Sequence, residues 1–132
     1  MAAASDYLEN KLLDHSLGTA SFTSPGTVYV GLHTGSPLDN DLGANEVSGG
    51  SYVRKSAAFS PAGTLIAGSA STNATITFDA ATANWGTITH ISLYDASTAG
   101  NLLFHGAVTT SKTIETGDTF QISTGNLTIS LD

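Results

Sequence analysis

The sequence predicts a mainly β fold: an antiparallel β-sandwich or barrel-like domain of about seven to eight strands with one N-terminal α-helix. Three features point there. Short runs rich in Val, Ile, Thr, Tyr and Phe recur at about ten-residue spacing, divided by Gly, Pro, Asn and Ser turn signals. A single window, near the N-terminus, has convincing helical periodicity. Charged residues are only 11% of the chain, against about a quarter in an average domain, and Thr, Ser, Ala and Gly take their place. At 132 residues one domain is expected, with residues 1–26 as helix and connector and 27–132 as the β-sandwich.

Taken in order, "SDYLENKLLDHSLG" predicts a helix over Asp6–Leu17. Ser5 or Asp6 can cap it, with Glu9 in capping-box spacing from Asp6. Leu8, Leu12 and Leu13 form an apolar stripe with Leu17 near it, His15 sits in the last turn, and Gly18 can take the left-handed position beyond the end. The stripe is narrow, so the helix should dock on a sheet or a neighbouring subunit. "TVYVGLH" (Thr27–His33) alternates: Val28, Val30 and Leu32 face one way and Tyr29, Gly31 and His33 the other. Thr34–Gly50 is polar and aperiodic, a long loop of the kind that is usually functional or ordered by a partner. Strand character resumes at Tyr52–Phe59, is ambiguous in "TLIAGSAS", and returns at Ala74–Phe78, Thr87–Asp95 and Leu102–Thr110. Gly-Asp and Gly-Asn turns then precede Thr119–Ser123 and Asn126–Leu131.

Composition excludes several function classes. Four basic residues against eleven acidic ones give a net charge of −7, and only Arg54 and Lys55 are adjacent, so neither nucleic acid nor an anionic membrane surface is an expected partner. Without cysteine there is no disulfide and no thiolate chemistry. The N-terminus lacks the basic and apolar regions of a signal peptide, and no apolar run is long enough to span a bilayer.

No nucleophile elbow, phosphate-binding glycine loop, dinucleotide fingerprint or zinc-protease helix occurs. No catalytic residues are therefore expected, and no cofactor. His33, His90 and His105 fall on three strands and could meet around zinc, but no His-x-His pair supports it. Asp39, Asn40, Asp41, Asn45 and Glu46 could offer oxygens to calcium, without EF-hand spacing; a solvated loop is the simpler reading. Trp85 with Tyr29, Tyr52, Tyr94 and Phe104 could form a sugar-stacking shelf, although aromatics on strands more often pack in a core or interface. "NWGTITHISLYD" and "LLFHGAV" carry bulky groups on both faces, which marks packed strands. Candidate contact residues for subunits or partners are Leu8, Leu12, Tyr29, His33, His90, Tyr94 and His105.

"SDYLENKLLDH", "TVYVGLHTGSP", "EVSGGSYVRKS", "ITFDAATANWGTITHISLYD" and "GNLLFHGAV" together resemble a family of short virion proteins of tailed phages, usually labelled tail fibre proteins, over nearly the whole chain. The resemblance implies a non-enzymatic structural component of the phage particle, of tail fibre type or a capsid decoration (cement) protein. A compact domain this size spans only about 30 Å, so it is a knob, collar or cement block rather than a whole fibre. Such a role implies a homo-oligomer, a trimer among the suitable symmetries, and contacts with other capsid or tail proteins. A glycan- or host-receptor-binding module is the alternative, and it needs Trp85 exposed. On the virion structural reading the helix is an anchoring arm, and deleting Ala2–Leu17 should harm attachment more than folding.

Overall fold

The computed structural model describes residues 3–40 and 43–131. It is mainly β with one N-terminal helix, as the strand spacing and the single helical window require. The helix α1 (Asp6–Ser16) starts from Ser5, whose backbone is extended and whose hydroxyl accepts from the Leu8 N–H at 3.2 Å. That cap lies one residue before the position needed by an Asp6–Glu9 capping box, so the predicted box does not form. Leu8 is buried and Leu12 half-buried, whereas Leu13 is 57% and Leu17 73% exposed: only the first half of the stripe meets the sheet. Gly18 takes the left-handed conformation expected after a helix end (φ 78°). His15 accepts the Phe22 N–H at 3.1 Å and so fixes the connector.

Nine strands occur among the described residues: β1 (Ala3–Ala4), β2 (Val28–His33), β3 (Lys55–Ala57), β4 (Ser69–Ser71), β5 (Ile76–Thr77), β6 (Gly86–Tyr94), β7 (Leu102–Ile114), β8 (Gln121–Ile122) and β9 (Thr128–Ser130). The count exceeds the seven to eight expected because β1, two residues long, has no readable alternation. Five strands form an antiparallel sheet in the order β1-β7-β6-β2-β3, and two small sheets pair β4 with β9 and β5 with β8. "TLIAGSAS" forms a strand only in its second half, because Leu65 and Ile66 occupy the tip of the preceding turn.

Alternation decides what the large sheet buries. Val28, Val30 and Leu32 of β2 share a face with Ile91 and Leu93 of β6 and Phe104 of β7. They join Ile76, Phe78, Phe120, Ile122, Leu127 and Ile129 from the small-sheet side in one core that also takes in Leu8. Phe78 and Phe120 meet edge to face, with ring centroids 5.8 Å apart. The N-terminal residues are sewn to this domain rather than hanging from it: Ser5 N–H donates to the Leu103 carbonyl at 2.8 Å, and its hydroxyl donates to that of Leu102.

Between the pairs Ile88–Lys112 and His90–Ala107, β7 advances five residues while β6 advances two. This bulge adds three residues to β7, the longest strand, whose outer edge has no strand beside it beyond His105 among the described residues. A bulge of this kind blunts a free edge against unwanted pairing.

Candidate functional site

The second face of the large sheet gathers the chemistry-bearing side chains. Cross-strand register sets Tyr29 opposite Tyr94, Gly31 opposite Ser92, Ser92 opposite His105 and His33 opposite His90. Opposed residues share a face, so the three strand histidines lie on one side of the sheet. The polar loop after β2 covers part of it. Thr34 N–H donates to the Asn45 carbonyl at 3.1 Å and Val47 N–H to that of Leu32 at 3.0 Å. This pairing places Glu46 against His33.

Arg54 and Glu46 form the centre of the site. The guanidinium binds the carboxylate through two bonds, Nε to Oε2 and Nη2 to Oε1, both 2.8 Å. Nη1 donates to the carbonyls of Ala96 (3.0 Å) and Ala99 (2.8 Å), which ties down the turn after β6. The same group lies 3.4 Å over the Tyr94 ring. Tyr52 donates its hydroxyl to Glu46 Oε2 at 2.7 Å and accepts the Leu32 N–H at 3.0 Å. Burial alone would raise the Glu46 pKa, but the hydrogen bonds from Arg54 and Tyr52 outweigh it and hold the carboxyl below its ordinary value. Burial and the Glu46 hydrogen bond push the Tyr52 phenol up.

His33 is fully buried beside this pair. Its Nδ1–H donates to the Ala44 carbonyl at 2.8 Å, and Nε2 accepts from the Ser92 hydroxyl at 2.7 Å. A carbonyl only accepts, so Nδ1 carries a proton, and in the neutral ring Nε2 is then the acceptor of the Ser92 hydroxyl. Burial pulls its pKa below the ordinary value. The close packing needs glycine at two points. A Cβ on Gly31 would stand 2.6 Å from Ser92 Oγ and 3.1 Å from Glu46 Oε2, and one on Gly43 would stand 2.2 Å from the Tyr94 hydroxyl.

Of the sequence-predicted contact residues, Tyr29, His33, His90, Tyr94 and His105 come together on this face, while Leu8 and Leu12 lie apart on α1. Leu8, His33 and Tyr94 are inside the monomer; Leu12, Tyr29, His90 and His105 are half-buried. His90 bonds Thr89 at 2.9 Å, and His105 pairs with Asp39. The histidines thus share a face but hold different partners, and no group of three His, Asp or Glu gathers among the described residues. In the suggested calcium loop, Asn45 donates to the Ser36 carbonyl at 3.0 Å, Asp39 and Glu46 are paired as above, and Asp41 lies outside the described residues.

Trp85 is 6% exposed. Its Nε1–H donates to the Gly50 carbonyl at 2.9 Å, and its ring meets Tyr52 edge to face at 5.5 Å. It is therefore part of the packing beneath the loop, not an open shelf. Sequence reasoning passed over Arg54, Tyr52 and Ser92 as partners of His33 and Glu46. One signal was available: Arg54 is the only arginine of a chain with little charge, which makes a bidentate partner worth seeking. The cluster is bonded mostly to itself and to nearby backbone. Four of the five guanidinium N–H groups, both carboxylate oxygens and both ring nitrogens of His33 are engaged within the chain. It is a clasp that holds the loop on the sheet.

A family model described as Podophage GP4 fiber I protein gp80 matches residues 3–130. The chain belongs to that family. No curated protein matches it. Membership in the gp80 fibre family implies a component of the phage virion, and it agrees with the tail fibre-type resemblance carried by the sequence blocks. The match spans the helix, all nine described strands and the clasp.

Proposed function

We propose that this gp80-family protein is a non-enzymatic building block of the phage particle surface, a compact module that works by adhesion as a homo-oligomer and against other virion proteins. The carrying observation is that the polar side chains most able to do chemistry, His33, Glu46, Tyr52 and Arg54, are each turned inward on one another to fix a loop. The family match supplies the setting. Low charge fits a surface meant for repeated neutral contacts.

A tail fibre-type position and a capsid decoration position both suit a block of this size, and a trimer suits either. Burial of Trp85 speaks against a glycan-binding shelf at that residue. The test is to locate the unmodified protein on intact particles with a gold-labelled antibody resolved by electron microscopy. Regular label at tail or capsid sites is the expected result. Absence from purified particles would refute the structural role.

A further inference from the structure

Residues 59–72 form a hairpin that begins at the Phe59–Thr72 bridge and carries an ordered apolar tip. Ser60 N–H donates to the Ser71 carbonyl at 3.0 Å, Gly63 N–H to Ser69 at 2.9 Å, and Ser69 N–H to Ile66 at 3.2 Å. The tip is held, yet Leu65 is 87% and Ile66 69% exposed, and Leu131 nearby on the β9 side is 54% exposed. One wall of the same hairpin, Ala62 and Gly68 to Ala70, borders a cleft of about 240 Å³. Opposite stand Val28, Leu93 and Phe104 of the large sheet, with Ile129 and Leu131 between. The cleft is the open end of the space between the layers, and among the described residues no charged side chain lines it.

We propose that this knob and cleft form the contact between copies of this chain, Leu65 and Ile66 of one copy seating in the cleft of the next. The inference rests on the oligomer reading above and names its surface. Two observations favour a second copy over another occupant. The patch carries both halves of the contact, a bulky apolar knob and an apolar hole, as a self-association surface requires. Charge points the same way: the whole segment from Ser56 to Phe78 lacks Asp, Glu, Lys and Arg in a chain of net charge −7. Two such chains repel each other over most of their surfaces and least here, while a charged partner would find nothing to pair with.

Sedimentation velocity of the full chain over a concentration series tests this. Variants are the tip double substitution Leu65→Asp with Ile66→Asp, the cleft-rim substitution Ala62→Glu, and Val53→Asp as a control at a 51%-exposed apolar residue elsewhere. The native chain and the control are expected to self-associate alike. The tip and rim variants should each raise the dissociation constant on the order of 30-fold or more with an unchanged melting temperature. A mixture of tip and rim variants should recover association, since one supplies the cleft and the other the knob. Unaltered assembly in both variants would overturn the proposed surface and leave the oligomer reading standing. Loss in both without recovery in the mixture would overturn the knob-in-cleft contact. A native chain that stays monomeric throughout would refute both readings. A monomeric native chain whose tip variant alone fails to enter particles would assign the patch to another virion protein instead.

Discussion

Arg54 shows at the scale of one residue how the second sheet face is held. Its side chain is 8% exposed and that of Glu46 20%, so the pair works largely out of water. Removing one member of a buried pair leaves the other desolvated and unpaired, at a cost of about 3 kcal/mol. Arg54→Ala should therefore lose a large share of the about 5–15 kcal/mol that such domains possess, read from urea unfolding. Arg54→Lys should recover little, because an ammonium cannot bridge both carboxylate oxygens while lying over the Tyr94 ring. His33 gives a pH signature. Its folded pKa lies below the ordinary 6.5 because of burial, so above pH 6.5 it is neutral whether folded or not. Below that value the unfolded chain takes up a proton that the folded chain refuses, and stability falls with pH at up to about 1.4 kcal/mol per unit. Glu46, held below its ordinary 4.5, keeps its contribution until the pH drops below that value and loses it as the pH falls through the folded pKa. Unfolding at pH 7.5 and pH 5.5 should show the native chain weaker at the lower pH, and His33→Gln should flatten the difference. An equal slope in the variant would remove His33 as its source. The sequence exposes the residue types of this clasp but not their pairing, because Glu46 and His33 meet only through a register set by the loop.

At the scale of elements, legibility followed periodicity. The alternation of β2 and β9 was readable in their apolar residues, although β2 is buried on both faces from Val30 to His33, and β6 was readable as a strand bulky on both faces. The helix was readable from its leucine stripe and its serine cap, although the stripe overstated how much of α1 is covered. The length and bulge of β7 were not, since three extra residues in "VTTSKT" leave no mark in a Thr-rich run. Ser5 was foreseen as a cap, but not as a tie between elements: it is fully buried, caps α1, and bonds the Leu102 and Leu103 carbonyls of β7. Ser5→Ala should cost about 1–2 kcal/mol, near the upper end for cap removal, because the Leu102 carbonyl loses a donor as well. Thermal unfolding of that variant measures it, and a change under 0.5 kcal/mol, the usual size for a surface substitution, would show that the tie is idle. The same contacts revise the view of the N-terminal segment as an arm only. Deleting Ala2–Leu17 also removes Leu8 from the core and β1 from the sheet edge, so loss of attachment in such a truncation must be read beside its loss of stability.

For the whole molecule, the class was legible because composition and spacing report on layers, whereas the division of the second layer into two small sheets was not: β4, β5, β8 and β9 are only two or three residues long. Short strands can hold only if the core behind them is continuous. It is, since a single cluster runs from Leu8 on the helix through Val30, Leu32 and Leu93 to Phe120 and Ile129. The clasp is joined to that cluster through Tyr52, which stacks on Phe78 at 6.3 Å and meets Trp85 edge to face. Helix, both layers and covering loop should consequently unfold together. Trp85 reports on this from the point where loop and core meet, because its indole N–H is held by Gly50 of the loop while its ring lies inside. Tryptophan fluorescence and far-ultraviolet circular dichroism should trace the same urea midpoint. Acrylamide should quench Trp85 weakly before that midpoint and strongly after it. If fluorescence changed at a lower urea concentration than the dichroism, the loop would be peeling from an intact sandwich, and Arg54 with Glu46 would be holding a separable cover instead of part of one cooperative unit.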